Sequence, residues 1–291
     1  MKSLLAARLI PEPETAVLGE MERPTRTVAL SAAPLISCLM VTGDRFGHFK
    51  HSVGCYLRQT YPHKELVIVT DELSPIAAIR EHVAKLGHDD VRVVHVNGRN
   101  KLGRLRNRSL AEARGDVFCQ WDDDDSSHPD RLAVQLEAMR QDDSTACCLQ
   151  DHFHYFQTTG EVYWTDWDEV VYKGHPGTLM HVRAVEREPT YPEIGMNAQR
   201  GEDLVFYLRL FRRLTLIRNM PYLFAYTFHG GNTWAEQHHR EIASRAVAAA
   251  EIMPRQKTFT REIQRRGLAG PFRFMGPDGH AFTVAARPVS I

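Results

Sequence analysis

Asp122–Asp125 put four carboxylates on consecutive residues, directly after an apolar run, DVFCQW. At an effective dielectric near 20, each close pair of such charges costs on the order of several kcal/mol before screening. That repulsion is tolerable on a solvated turn, or where a divalent cation offsets it. A hard cation such as Mg²⁺ typically takes one or two protein carboxylates and leaves its other positions to water and substrate phosphates. The structural alternative is an acidic flank to a helix over 128–141, which the helix dipole favours. An EF-hand is excluded: counting from Asp122, position 6 is Ser127 rather than Gly, and position 12 is Ala133 rather than Glu.

Three further groups have the right chemistry. Arg99, Lys101, Arg104, Arg106 and Arg108 crowd into one segment, either as a basic wall that meets phosphate or as a solvated helix face. Glu202-Asp203 opens a helical pattern behind Gly201, where carboxylates also occur for dipole reasons alone. His229 ends an apolar run just before Gly230-Gly231-Asn232, a better place for a ligand than those of the other histidines. His152 with His154, and His238 with His239, lack the further Cys or His of a closed zinc site and read as surface residues. The five cysteines include no CxxC spacing and lie largely in apolar runs, as small buried hydrophobes of a reducing compartment do.

The elements that must position these groups follow from hydrophobic patterning. LISCLMV, ELVIVT, VRVVHV and DVFCQW are short continuous apolar runs, as in strands buried on both faces. Helical spacing separates them over roughly 47–60, 75–86 and 103–113, so the first half reads as a parallel sheet with covering helices. In such sheets ligands bind beyond the carboxyl ends of the strands, where Asp122–Asp125 fall. Later helices are expected over 128–141, 202–213, 235–253 and 257–267, with strands in TACCLQ, GTLMHV and YLFAYTF and a loose Gly- and Pro-rich end. Neither GxGxxG nor GxxxxGK[ST] is present, so this is no ordinary dinucleotide or P-loop site.

Composition sets outer limits. With 43% apolar and 25% charged residues in a 291-residue chain, global disorder is excluded as a description. The 36 basic and 36 acidic residues cancel, which argues against a protein that coats nucleic acid. No apolar run approaches the roughly 20 residues of a membrane span, and Arg8 breaks the faintly signal-like start. A soluble, cytoplasmic protein is expected. Arg261, Arg265 and Arg266 read as a solvated face, with contact to a membrane surface or a partner subunit as the alternatives.

The order of the pieces adds to this. PLISCLMVTGDR, LRQTYPHKELVIVTD, LGRLRNRSLAEARGDVFCQWDDDD, GEDLVFYLRL and YTFHGGNT together resemble the family 2 glycosyltransferases over roughly residues 34–235. The resemblance implies an α/β GT-A fold: Rossmann-like, with a mostly parallel central sheet flanked by helices, here followed by a C-terminal helical extension. It divides the chain into an arm (1–33), a nucleotide-sugar half (34–130), an acceptor half of the same domain (131–235) and the extension (236–291). It implies a nucleoside-diphosphate sugar as donor, a UDP-sugar first, and a saccharide or other hydroxyl acceptor, with Mn²⁺ or Mg²⁺ as cofactor and inversion at the anomeric carbon.

Carried over by position, Thr42 matches the turn after the first strand, Asp71 the carboxylate that meets the base, and Lys101 a basic residue near it. Asp122 takes the ribose, with Arg106 beside the phosphates. Asp124 and His229 take the metal, and Asp203 is the general base. Val41-Thr42-Gly43-Asp44 and Thr70-Asp71-Glu72-Leu73 depart from the family pattern around the base pocket. Two other classes compete. A sugar nucleotidyltransferase would want a Gly-rich loop with Arg and Lys, of which VTGDRFGHFK is a poor version. A non-catalytic nucleotide- or glycan-binding domain would not need Asp124 and Asp203.

Overall fold

The computed structural model describes residues 27–286, except 169, 171–172, 186–187 and 211–213. Most of the expected arm thus lies outside the described residues. The four continuous apolar runs become parallel strands β1 (Ile36–Val41), β2 (Lys64–Thr70), β3 (Val91–His95) and β4 (Val117–Gln120). Between them lie α1 (Phe46–Leu57), α2 (Ile76–Leu86) and α3 (Leu102–Glu112). Motif residues staple this half together. Glu65 Oε1 accepts from Ser37 Oγ at 2.6 Å and from the Arg114 amide at 2.6 Å, tying β2 to β1 and to the turn before β4. Gln59 donates to the His128 carbonyl at 2.7 Å and accepts from the Leu132 amide at 3.1 Å, fixing the start of the helix over Arg131–Gln141 against the end of α1.

After β4 come β5 (Ser126–Ser127), α4 (Arg131–Gln141), β6 (Ala146–Leu149), β7 (Asp151–Phe156), β8 (Glu161–Asp166) and β9 (Met180–Val182). They are followed by α5 (Glu202–Leu210), β10 (Leu214–Ile217) and β11 (Phe224–Phe228). The chain then forms α6 (Glu236–Ala243), α7 (Ala249–Ile252), α8 (Gln256–Gln264), β12 (Phe272–Gly276) and β13 (Gly279–Val284). The first sheet has the order β10-β6-β9-β4-β1-β2-β3, parallel except at β9. The second has the order β13-β12-β8-β7-β11-β5.

Several expectations fail here. Asp122–Asp125 do not flank a helix: α4 starts at Arg131 and carries no acidic residue in its first turn. The 235–253 pattern is no single helix, because Ala246 bridges Thr165 and Val247 donates to Trp164 O at 2.8 Å, which pulls the chain extended between α6 and α7. The extension is not wholly helical, and its end is not loose. β12 and β13 form a hairpin paired to β8, and they bury Phe272, Phe274, Phe282 and Val284 against Phe259 and Ile263 of α8. Arg266 is fully buried, donating to the carbonyls of Ser126 and Tyr222, so it belongs to no surface. Arg265 instead pairs with Asp130 and Glu262.

His152, His154 and His239 are also fully buried rather than on the surface. β7 is interior to its sheet and covered on both faces, so alternation along it carries no exposure signal. Trp167 Nε1 donates to His152 Nδ1 at 3.2 Å, and the rings of His154 and His239 share a 2.9 Å hydrogen bond. All five cysteines are free and buried, and no described helix is long and apolar enough to cross a membrane.

α3 carries a requirement for close approach. A Cβ at Gly103 would lie 1.9 Å from Pro192 O, in the segment that leads to α5. Gly103→Ala must displace backbone and is expected to cost roughly 1–3 kcal/mol, as overpacked sites do. A denaturant midpoint unchanged from the parent protein would show that the α3 contact is not tight.

Candidate active site

The carboxyl ends of β1 and β4, the start of α5 and the segment after β11 enclose one cleft. It is lined by Arg45, Arg106, Asp122–Asp125, Glu202 and Asp203, with His175, Tyr226 and Trp234 among its walls. All four consecutive carboxylates accept hydrogen bonds, with Arg45 shared by two of them, and these partners offset the repulsion. Asp122 accepts from Arg106 Nη2 at 2.9 Å and from Gln120 Nε2 at 3.1 Å. Asp123 accepts from Thr42 Oγ1 and Arg45 Nη2, both at 2.7 Å. Asp124 accepts from Arg45 Nη1, and its Oδ2 lies 3.3 Å from His229 Nε2. Asp125 accepts from the Thr227 amide at 2.8 Å, which locks the run onto β11.

These environments split the pKa values of the run. Burial, with Asp124 beside it, pushes Asp123 up to about 7. Burial also acts on Asp124, but the His229 hydrogen bond and the Arg45 charge outweigh it and hold its pKa below the ordinary carboxylate value. Asp125 is raised well above that value by burial and by Asp124 and Asp122.

Across the cleft, Gly201 (φ 75°) makes the turn into α5 and sets Glu202 and Asp203 in its first turn. Glu202 is buried and accepts from Arg106 Nε at 3.0 Å, so Arg106 ties α5 to Asp122 through one buried guanidinium. The Asp203 carboxylate accepts from the Leu204 amide at 2.8 Å. Burial and the neighbouring Glu202 raise Asp203 to about 7 against the opposing pull of Arg106, which poises it for proton transfer near neutral pH.

The structure thus brings Arg106, Asp122, Asp124 and Asp203 into one cleft. Thr42 and His229 reach it through Asp123 and Asp124. Asp71 is buried at the end of β2, with one oxygen on the Leu73 amide (2.9 Å) and the other on the Asn100 amide (2.8 Å). Lys101 is exposed, with Nζ 3.4 Å from Gly195 O. Neither is among the residues lining the cleft. Among the cleft residues that sequence reasoning does not single out are Arg45, His175, Arg200 and Tyr226; for Arg45, its place shortly after the end of β1 is the available signal.

As a cation site, Asp124 and His229 offer one oxygen and one nitrogen. The two atoms lie 3.3 Å apart. No group of three His, Cys, Asp or Glu side chains converges as a protein-only metal site among the described residues. One carboxylate oxygen and one imidazole nitrogen are ligand types that Mn²⁺ accepts, with water and substrate phosphate left to complete its shell, although the same Asp124 oxygen accepts from Arg45.

The family model for "Glycosyl transferase family 2" matches residues 49–212, more than half of the chain. The chain belongs to this family. Among curated proteins it is 30% identical over 108 residues to WcaA of Escherichia coli (strain K12), a glycosyl transferase named for colanic acid biosynthesis. It is 28% identical over 109 residues to TuaG of Bacillus subtilis (strain 168), named for teichuronic acid biosynthesis. Each match spans 37% of this chain, and 39% and 43% of those proteins. Solved structures with similar folds include the following two. TarS 1–349 of S. aureus in complex with UDP-GlcNAc gives a TM-score of 0.55 at 16% identity, covering 80% of this chain and 67% of that one. The mannosyltransferase PcManGT from Pyrobaculum calidifontis in complex with GDP-Man and Mn²⁺ gives 0.52 at 13%, covering 88% and 76%. The fold is that of the GT-A glycosyltransferases.

Proposed function

We propose that this protein is an inverting glycosyltransferase. It moves a sugar from a nucleoside-diphosphate sugar, a UDP-sugar first, to a saccharide or other hydroxyl acceptor in polysaccharide biosynthesis, in the cytoplasm. The observation that carries this reading is the placement of Asp203 in one cleft with Asp122–Asp125, its neighbour Glu202 being joined to Asp122 by Arg106. The names of WcaA and TuaG support the polysaccharide context, and the complexes of the two structural neighbours support a nucleotide-sugar donor.

In this reading the nucleoside lies toward Thr42, Asp71 and Lys101, and Asp122 accepts from a ribose hydroxyl. Asp124 and His229 would hold Mn²⁺ or Mg²⁺. The chemistry such a cation supplies when bound is stabilisation of the negative charge that grows on the leaving diphosphate. Asp203 takes the acceptor hydroxyl's proton as that oxygen bonds to the anomeric carbon. The bond from that carbon to the diphosphate oxygen breaks, and the diphosphate departs with the electron pair. One base facing one leaving group gives a single displacement and inversion. Arg106 holds Glu202 and Asp122 in ion pairs, and Asp203, beside them in the first turn of α5, is the carboxylate assigned as the base.

Incubation with a panel of UDP-, GDP-, CDP- and dTDP-sugars, together with a set of saccharide acceptors, in the presence of Mn²⁺ tests this. Release of one nucleoside diphosphate, blocked by EDTA and restored by Mn²⁺, is expected. Release from none of them in folded protein, or release indifferent to EDTA, would contradict it.

A further inference from the structure

Arg45 lines the cleft yet has no part in the chemistry above. Its guanidinium forks across two carboxylates, with Nη2 2.7 Å from Asp123 Oδ1 and Nη1 on Asp124 Oδ2. That second oxygen is the one facing His229 Nε2 at 3.3 Å. The atom a cation between Asp124 and His229 would use therefore already carries a guanidinium proton. Arg45 and Arg106 differ in how freely they can move. The Arg106 side chain is 8% exposed and is held by carboxylates from two separate elements. The Arg45 side chain is 27% exposed and opens onto the cleft. A guanidinium fork suits phosphate oxygens as well as it suits carboxylates.

We infer that Arg45 is a positioning residue that guards the cation site and exchanges partners when the donor enters. In the free protein it supplies the counter-charge for Asp123 and Asp124, and so opposes divalent-cation binding. When a nucleoside diphosphate arrives, the guanidinium moves to phosphate oxygens and yields Asp124 Oδ2. The exchange rests on the donor reading above, whereas the guarding role rests only on the shared oxygen. The consequence is cooperative assembly: cation and diphosphate bind strongly only together.

The test is titration of the protein with Mn²⁺, read from the electron paramagnetic resonance signal of the free aquo ion, with no turnover involved. Arg45→Gln removes a full charge beside the site, so it is expected to bind Mn²⁺ alone about tenfold or more tighter than the parent. Arg45→Lys, which keeps the charge but loses the fork, should fall between the two. Adding UDP or GDP should tighten Mn²⁺ binding by the parent about tenfold and that of Arg45→Gln far less. Circular dichroism establishes that both variants are folded. Mn²⁺ binding by Arg45→Gln no tighter than the parent's would overturn the inference, because Arg45 would then organise the site rather than oppose the ion. Nucleotide binding that leaves Mn²⁺ affinity unchanged in the parent would overturn the exchange alone. Absence of any nucleotide binding would overturn the donor reading with it.

Discussion

Asp203→Asn is expected to lower turnover on the order of 100- to 10,000-fold, the usual worth of a positioned general base, while donor affinity stays within about twofold. Asn keeps the shape of the side chain, and its amide oxygen can still accept from the Leu204 amide, so α5 should remain in place. What is lost is the capacity to take a proton. Because burial and Glu202 raise Asp203 to about 7, the parent's kcat/KM should rise with pH through a limb centred near 7. That limb should be missing from the residual activity of the variant. Equal losses in donor affinity and turnover would instead make Asp203 a binding residue.

The same carboxylate makes a stability prediction of opposite sign. A carboxyl whose pKa is raised on folding favours the folded state while protonated, and that contribution fades as pH climbs from the unfolded value of 3.8 through about 7. At pH 8 the parent therefore carries a half-buried charge beside Glu202. Asp203→Asn removes that charge and should be more stable at pH 8, on the order of 1–3 kcal/mol, with the gain vanishing near pH 4. Thermal unfolding at the two pH values checks this, and a loss of stability at pH 8 would show that the burdened carboxylate is not Asp203.

Arg106→Ala should be the most damaging substitution to the fold itself. It strips the shared partner from Glu202 and Asp122, leaving two carboxylates facing one another beside Asp203. Breaking a buried pair of this kind typically costs about 3–5 kcal/mol, because the partner charges are left without compensation. Arg106→Lys keeps the charge but cannot reach both carboxylates with the same fork, so it should recover only part of the loss. A denaturant midpoint within error of the parent for Arg106→Ala would contradict the bridging role.

Much of this arrangement is legible in the order of the amino acids. β1 to β4 and their helices follow from continuous apolar runs, since strands covered on both faces leave a clear mark. The ordered motifs mix scaffold with site: Gln59 and Glu65 staple elements, while Asp122, Asp124 and Asp203 meet in the cleft. Other features depend on partners distant in the chain, and hydrophobic pattern carries no such information. His152 and His154 look exposed because polar residues alternate there, yet they are buried against the rings of Trp167, His175 and His239. The hairpin of β12 and β13 is short and turns at Gly276-Pro277, and it is its pairing with β8, far back in the chain, that places it in the sheet. Arg45 can be placed at a strand end from sequence, but its two carboxylate partners lie almost eighty residues away.

The claim on which the rest depends is that the cleft is a donor site completed by a metal ion. Calorimetric titration of UDP, GDP, CDP and dTDP, each with and without Mn²⁺, addresses it most directly. The account predicts that one diphosphate binds, that binding requires Mn²⁺, and that Asp124→Ala abolishes it while Asp203→Asn does not. Failure of all four with Mn²⁺ present, or binding that survives Asp124→Ala unchanged, would contradict it.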